Sequence, residues 1–200
     1  MKDPKIESVD TFSFNSKSKK EAKACIAKYP KGKQASAVMP LLDIAQRQHD
    51  GWLPRIAMDY VADFLEIPRI AVYEVASFYT MYNLSPVGQN HVQVCTNLPC
   101  WLRGSDRIVT AIEKNLGIKM GETSKNNLFT LTEVECLGAC VNAPMIQIND
   151  DYYEDLDETS VDVLLTEITN GGAPMSGSQM GRRSCEPIKG LTTLVDSIKD

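Results

Sequence analysis

Apolar residues recur every three or four positions through the first third of the chain, which is the period of an α-helix. They predict four amphipathic helices, whose apolar stripes are Ala22, Cys25, Ile26 and Tyr29; Val38, Leu41, Leu42 and Ala45; Ala57, Tyr60, Val61 and Phe64; and Val72, Val75, Ala76 and Tyr79. Ser18 and Glu21 have the spacing of a capping box at the start of the first helix. Short helices gain most of their stability from packing, so the pattern predicts a helical bundle over residues 1–86.

The pattern changes to the two-residue alternation of β-strands beyond a turn-rich stretch at residues 83–88. One predicted strand ends at Cys95, and a second runs through residues 128–134. Between them lies a helix that Ser105 or Asp106 would cap and that carries Ile108, Ala111, Ile112 and Leu116. Because a helical crossover joins them, the two strands should be parallel.

A predicted hairpin over residues 145–153 and a last helix with Val161, Leu164, Leu165 and Ile168 follow. This order predicts an α/β fold, in which residues 87–172 form a thioredoxin-like sheet with helices on both faces. Residues 173–200 are rich in Gly, Ser and Pro and contain Arg182 and Arg183. We expect this extended tail to be disordered on its own and to wrap a neighbouring subunit.

Four of the six cysteines form two close pairs, Cys95 with Cys100 and Cys136 with Cys140. Each pair lies where a predicted strand runs out into a loop, so parallel strands would bring all four thiols to one edge of the sheet. Four thiolates around one point suit a soft metal site, either zinc or an iron–sulfur cluster. By contrast, Cys25 fits a helix stripe, and Cys185 in the tail has no cysteine nearby, so we expect neither to be a ligand.

The spacing of the pairs favours iron and sulfur. Structural zinc sites prefer two residues between paired cysteines, and here there are four and three. Wider loops suit a larger cluster in which each of two irons takes two thiolates. Gly104 and Gly138 would let backbone N–H groups approach the sulfurs, and the helix that starts near Ser105 would point its positive end at the site. Zinc, a disulfide and unlinked thiols remain alternatives.

Composition narrows the class of protein. The formal net charge of −5 argues against a nucleic-acid partner. There is no apolar run of about 18 residues, so we expect no direct insertion into a membrane. The first ten residues lack an apolar signal core and carry acidic residues, which transit peptides avoid. We therefore expect a reducing compartment such as a bacterial cytoplasm, where cysteines are metal ligands or free thiols.

The motifs that carry a resemblance are GWLP (51–54), VASFYTMY (75–82), PVG (86–88), VCTNLPCWLRG (94–104), ECLGACVNAP (135–144), KYPKGKQASAVMPLLDIAQRQ (28–48) and GRRSCEPIKGLTTL (181–194). With them the chain resembles the small thioredoxin-like [2Fe–2S] subunit of respiratory complex I, the proton-pumping NADH:quinone oxidoreductase. That family has bacterial and mitochondrial members. The resemblance covers nearly the whole chain, and the cysteine pattern is its most specific part.

The resemblance implies that Cys95, Cys100, Cys136 and Cys140 bind one [2Fe–2S] cluster. It also implies docking on a flavin-bearing partner subunit of the peripheral arm, on which FMN and NADH would bind. The chain itself has neither a G-x-G-x-x-G nor a Walker sequence. We expect it to lie on the cytoplasmic side of a bacterial inner membrane, or on the matrix side in a mitochondrion, as an electron carrier without a catalytic residue of its own.

Three other functions fit parts of the pattern. The chain could be the equivalent subunit of a soluble NAD-dependent hydrogenase or formate dehydrogenase, although the N-terminal helices and the GRR tail favour complex I. It could be a zinc-stapled interaction module without a redox role. A dithiol oxidoreductase of the thioredoxin type fits the order of elements, but it requires a C-x-x-C motif at a helix start, and the first pair here is C-x4-C.

Overall fold

A computed structural model describes residues 11–190 and 192–193 of the chain. It divides into two compact units, one ending at Val87 and the other beginning at Gly88. The division into three parts (1–86, 87–172 and 173–200) stays a prediction, because the structure does not separate the last part from the second unit. In the described part of the chain, no helix is long and apolar enough to cross a membrane.

The first unit consists of the predicted helices. They are α1 (Ser16–Ile26), α2 (Val38–Gln48), α3 (Arg55–Leu65) and α4 (Arg69–Phe78), with a 3₁₀ turn at Gln34–Ala37 before α2. The stripes of these helices form one apolar core in which Leu41, Leu42 and Val61 are fully buried. Cys25 is half-buried against this core, which agrees with its interpretation as a packing residue. Tyr82 closes the unit by donating its hydroxyl to the Met39 carbonyl at 2.9 Å.

One local prediction for this unit is wrong. The cap of α1 is Asn15, whose side chain accepts the Ser18 N–H at 2.9 Å, so Ser18 lies inside the first turn and starts no capping box. Asn15 is itself a favoured N-cap residue and lies three residues before Ser18, so the helix begins about one turn earlier than predicted.

The second unit contains a five-stranded sheet in the order β2-β1-β3-β4-β5. Its strands are β1 (Asn90–Cys95), β2 (Phe129–Val134), β3 (Ile146–Ile148), β4 (Asp151–Glu154) and β5 (Gly177–Ser178). Its helices are α5 (Leu98–Leu102), α6 (Ser105–Leu116) and α7 (Glu158–Thr169), with a 3₁₀ turn at Cys140–Asn142. The α/β fold and the parallel pairing of β1 with β2 through the α6 crossover are confirmed.

Both long helices of this unit pack on the same face of the sheet, where the prediction put helices on both faces. Helices α6 and α7 contact each other and share a core with Val92, Leu131 and Ile146. The opposite face carries polar side chains at alternating positions. One of them is His91, whose ring lies 2.9 Å from the Thr132 hydroxyl, and burial lowers the pKa of that histidine.

The tail has structure that its composition did not reveal. After α7 the chain returns to the sheet, and β5 pairs in parallel with β4, with Tyr153 opposite Gly177. Gln179 continues this ladder by donating its backbone N–H to the Glu154 carbonyl at 2.9 Å. The expectation that the tail would be disordered on its own is therefore wrong for its described part, because the edge of β4 supplies hydrogen-bond partners.

Candidate metal centre

The two cysteine pairs follow neighbouring strand ends. Cys95 is the last residue of β1 and lies opposite Val134, the last residue of β2. Cys136 follows two residues later, at a point where β2 has already ended. Parallel neighbours finish at the same edge of a sheet, so the topology brings both pairs together there.

The first pair is buried. Cys95 and Cys100 are 3% and 1% exposed and pack with Ala143 and Met145 in a small apolar cluster of their own. Cys100 lies in α5, a helix of five residues that replaces the predicted loop. Asn97 caps this helix by accepting the Leu98 N–H at 2.7 Å. The cap and the strand end thus fix both sulfurs of the pair on regular structure.

Burial controls the protonation of Cys100 in this pair. It raises the pKa of the Cys100 thiol to about 12, and a hydrogen bond with Cys95 adds to the shift. The nearby Cys140 sulfur acts in the same direction. Cys95 in turn donates its thiol to the Glu135 carbonyl, 3.6 Å away, in the loop of the second pair. In the metal-free chain the Cys100 sulfur is therefore held as a neutral thiol.

The second pair is exposed. Cys136 and Cys140 lie on the loop that leaves β2, and both are open to solvent. Gly138 has a left-handed backbone (φ +79°) and donates its N–H to the Cys136 sulfur at 3.4 Å, as predicted. Tyr152 anchors the loop by donating its hydroxyl to the Leu137 carbonyl at 2.7 Å. Local desolvation and a hydrogen bond with Cys136 raise the pKa of Cys140.

The thiols gather as two pairs. Within each pair one thiol acts on the other, since Cys95 raises the pKa of Cys100 and Cys136 raises that of Cys140, and charge interactions also reach from one pair to the other. Among the residues that the structure describes, no three His, Cys, Asp or Glu side chains form a site for a single metal ion. Two thiols for each of two irons is the donor set of a [2Fe–2S] cluster. The arrangement fits the cluster.

One expected contribution to the site differs in the structure. Gly104 has a left-handed backbone (φ +93°), but its N–H donates to the Trp101 carbonyl at 2.9 Å and not to a sulfur. Its left-handed backbone forms the tight turn between α5 and α6. Arg103 directs its Nε toward the Ala143 carbonyl at 3.4 Å, just beyond the second pair.

An ion pair near the second cysteine pair was missed. The Arg182 guanidinium contacts the Asp155 carboxylate, and their side chains are only 7% and 2% exposed. Burial favours a raised pKa for Asp155, but hydrogen bonds from Arg182 and Ser178 outweigh it, and the pKa lies below its usual range. These residues come from β5 and the loops around it, and only the pair of arginines at 182–183 singled out the tail in the sequence.

Exposed apolar side chains flank Cys100 and Cys140 along the chain. Leu98, Trp101 and Leu102 of α5 are 59%, 60% and 68% exposed, and Val141 beside Cys140 is 69% exposed. We call these four residues the apolar rim. Cys136 and Cys140 are themselves open to solvent, so the apolar rim adds exposed apolar surface to the site. Such a surface is typical of a site that another protein covers.

Comparisons with known proteins agree with this geometry. The family model of the thioredoxin-like [2Fe-2S] ferredoxins matches residues 22–169. The chain is 57% identical over 160 residues to an NADH-quinone oxidoreductase subunit of Rickettsia typhi, and the match covers 80% of this chain and 94% of that protein. It is 50% identical over 185 residues to the mitochondrial NADH dehydrogenase [ubiquinone] flavoprotein 2 of Dictyostelium discoideum, covering 92% of this chain and 75% of that one.

Solved structures add a more distant likeness. A NAD+-reducing [NiFe]-hydrogenase in its H2-reduced state aligns with a TM-score of 0.58 and 20% identity, over 67% of this chain and 23% of the hydrogenase chain. At that identity the likeness concerns the fold alone.

Proposed function

Because this chain belongs to the thioredoxin-like [2Fe-2S] ferredoxin family, we propose that it is the electron-transfer subunit of a proton-pumping NADH:quinone oxidoreductase. In this proposal Cys95, Cys100, Cys136 and Cys140 bind one [2Fe–2S] cluster. The relatives at 50–57% identity, which are named as subunits of such complexes, support it.

The observation that carries the proposal is the asymmetric pairing of the four thiols. A cluster of two irons takes two thiolates on each iron. The buried pair at Cys95 and Cys100 offers one such set on a strand end and a capped helix. The exposed pair at Cys136 and Cys140 offers the other on a loop. One half of the site is thus protected from water and the other faces outward.

The bound cluster supplies one-electron chemistry, cycling between its oxidised and singly reduced forms. The chain contributes binding, orientation and hydrogen bonds. The Gly138 N–H, 3.4 Å from the Cys136 sulfur, stabilises negative charge there. The apolar cluster of Ala143 and Met145 excludes water from the buried pair. No side chain of the chain acts as acid, base or nucleophile in this mechanism.

The partner that we propose is the flavin-bearing subunit of the peripheral arm, with FMN and NADH bound there. Two observations support this division. The chain has no nucleotide-binding sequence motif, and the apolar rim of Leu98, Trp101, Leu102 and Val141 is exposed next to Cys100 and Cys140 in the chain. An electron centre has to come close to its donor, so a partner surface that covers the rim would suit transfer.

We place the assembled subunit on the NADH side of the membrane. This is the cytoplasmic side of a bacterial inner membrane, or the matrix side in a mitochondrion. The site of NADH oxidation in the complex motivates this proposal, and immunogold labelling or protease protection of sealed vesicles would test it.

Metal analysis of the chain tests the proposed cluster most directly. The full chain is purified without oxygen, its visible absorption is recorded, and iron and acid-labile sulfide are measured on the same sample. We expect a red-brown protein with two irons and two sulfides per chain that takes up one electron. A colourless chain that binds one zinc, even after reconstitution with iron and sulfide, would instead make the cysteines a structural staple.

Serine variants of single cysteines assign the ligands. Cys95→Ser, Cys100→Ser, Cys136→Ser and Cys140→Ser should each lose most of the cluster, since a serine hydroxyl is a harder and weaker ligand for iron. Cys25→Ser and Cys185→Ser are the matched controls and should retain it. Iron loss in Cys185→Ser with full retention in Cys140→Ser would exchange those two assignments.

A hydrogenase subunit is the second candidate, because a NAD+-reducing hydrogenase shares the fold. The identity of 20% over 23% of that chain is far below the 57% to a subunit of NADH-quinone oxidoreductase. Co-purification from the native membrane distinguishes the two: quinone-reducing activity supports the first candidate, and hydrogen uptake in the soluble fraction supports the second.

A further inference from the structure

The C-terminal segment does not end at the sheet edge but continues to the loop of the exposed cysteine pair. After β5 the chain runs through Arg182 to Glu186, where the Ser184 carbonyl accepts the Asn142 side-chain N–H at 2.9 Å. Asn142 is 3% exposed and closes the 3₁₀ turn that begins at Cys140. The tail and this turn are therefore in direct contact.

The Arg182 guanidinium is the centre of that contact. Besides its buried contact with Asp155, its Nε donates to the other carboxylate oxygen at 2.8 Å, and Ser178 Oγ donates to that same oxygen at 2.6 Å. Its Nη1 donates to the Glu186 carbonyl at 2.9 Å. The group is planar and has fixed donor directions, so one side chain ties the tail to the loop after β4.

The Nη2 group of Arg182, which also contacts Asp155, reaches the cysteine loop itself. Its Nη2 donates to the Val141 carbonyl at 3.1 Å and to the Asn142 side-chain oxygen at 2.8 Å. Asn142 donates in turn to the Glu154 carboxylate at 2.6 Å, and its carbonyl accepts the Asp155 N–H at 2.8 Å. The two residues directly after Cys140 are thus held by one buried network.

We propose that Arg182 is a positioning residue of the cysteine site, and that its buried guanidinium anchors the turn after Cys140 and holds that thiol in place for the cluster. The proposal rests on the function proposed above. On the other side of Cys140, Gly138 has a positive φ and nothing within 4 Å of an added Cβ, so the loop is open there. The hydrogen bonds of Arg182 to residues 141–142 therefore fix the C-terminal end of the cysteine loop.

The test compares Arg182→Gln with Arg183→Gln in the full chain. Arg183 is the exposed neighbour and provides a variant with the same change of charge. Hydrogen exchange of peptides that cover residues 136–155 is measured on the metal-free chains. We expect at least about tenfold faster exchange in Arg182→Gln, since a buried pair that loses one member leaves an uncompensated charge. We expect no change in Arg183→Gln.

The second readout is the cluster itself. After reconstitution, visible absorption follows loss of the cluster to an iron chelator, and the electron paramagnetic resonance spectrum of the reduced form reports the surroundings of the iron. Arg182→Gln should lose the cluster at least about tenfold faster and show a shifted spectrum, as supporting groups around metal ligands change affinity by such factors. Arg182→Lys keeps the positive charge but lacks the planar guanidinium with its several N–H donors, so it should rescue only part of the effect.

The outcomes separate the two proposals. If the unaltered chain binds no cluster, the function proposed above fails and this inference fails with it. If the unaltered chain binds the cluster, and Arg182→Gln matches Arg183→Gln in both readouts, only the role of Arg182 is overturned. Full rescue by Arg182→Lys would also overturn it, because charge alone would then suffice. If Arg182→Gln does not fold, Arg182→Lys and Asp155→Asn are compared with Arg183→Gln in the same two readouts.

Discussion

The two cysteine pairs have the same chemistry but opposite surroundings. Cys95 and Cys100 are buried on a strand end and a capped helix, within an apolar cluster. Cys136 and Cys140 are exposed on a loop that hydrogen bonds and a buried ion pair hold from outside. The first pair therefore belongs to the core, and the second pair depends on supports that come from other segments of the chain.

This difference assigns a separate task to each pair. A buried pair protects half of a cluster from water and adds to the stability of the fold. An exposed pair leaves the other half accessible, which electron transfer to a partner requires. The comparison therefore predicts that substitutions at the first pair affect folding and cluster binding together, whereas substitutions at the second pair affect the cluster alone.

Substitution of one cysteine from each pair has the largest expected effect. In the metal-free chain, Cys100→Ser should lower the free energy of unfolding by about 1 to 3 kcal/mol, because it places a hydroxyl in an apolar site. Cys140→Ser should change it by less than about 0.5 kcal/mol, as is usual at exposed positions. Urea unfolding followed by circular dichroism measures both. Equal destabilisation by the two variants would remove the distinction between the pairs.

Alkylation of the metal-free chain gives the second largest contrast. Cys136 and Cys140 are open to solvent, so iodoacetamide should modify them at least about tenfold faster than the two buried cysteines, whose reaction needs local opening. Mass spectrometry of digested samples over a time course assigns each rate. The exposed Cys185 is the internal control and should react with the fast group. Fast modification of Cys95 or Cys100 would mean that the first pair is not protected.

Substitution of one residue of the apolar rim should have a moderate effect on binding of the partner subunit. Trp101→Ala should weaken co-purification with the flavin-bearing subunit by about tenfold or more, since aromatic residues dominate interface energies. It should leave the metal-free fold unchanged, because the side chain is 60% exposed. Val163→Ala on α7, 62% exposed, is the matched control away from the cysteines. An equal loss in both variants would show a general effect and not docking at the rim.

The smallest expected effect is that of acid, which should weaken the ion pair of Asp155 and Arg182 beside the second cysteine pair. The pKa of Asp155 is lowered in the folded chain, so its contribution is present above the unfolded value of about 3.9 and is lost as pH falls through the folded value. One proton corresponds to at most about 1.4 kcal/mol per pH unit. In the metal-free chain, Asp155→Asn should therefore reduce the acid dependence of unfolding below about pH 4. An unchanged slope would exclude Asp155 as its source.

Local pattern predicted most of the fold. The helix stripes and the alternation before Cys95 carry their own period, so α1–α4, α6, α7 and the parallel pair β1–β2 could be recognised without tertiary information. The placement of both cysteine pairs at one sheet edge also followed from topology alone. Their role as ligands stays a proposal until the metal is measured.

Features that depend on distant partners could not be predicted. Strand β5 has two residues, too few for any alternation, and it exists because β4 presents an open edge. The ion pair of Asp155 and Arg182 joins positions 27 residues apart, and no local spacing indicates it. Helix α5 is five residues long, so its period cannot be distinguished from that of a loop. Such features arise from packing between elements, which a single sequence does not display.

The short strand β5 also has a consequence for solubility. A sheet edge with unpaired N–H and C=O groups is a template on which a second chain can add a strand. At Tyr153 and Glu154 the β5 residues occupy that edge, so the tail shields the sheet from self-association. A chain truncated after Gly172 should therefore form dimers and larger aggregates at high concentration, even where its helical unit remains intact.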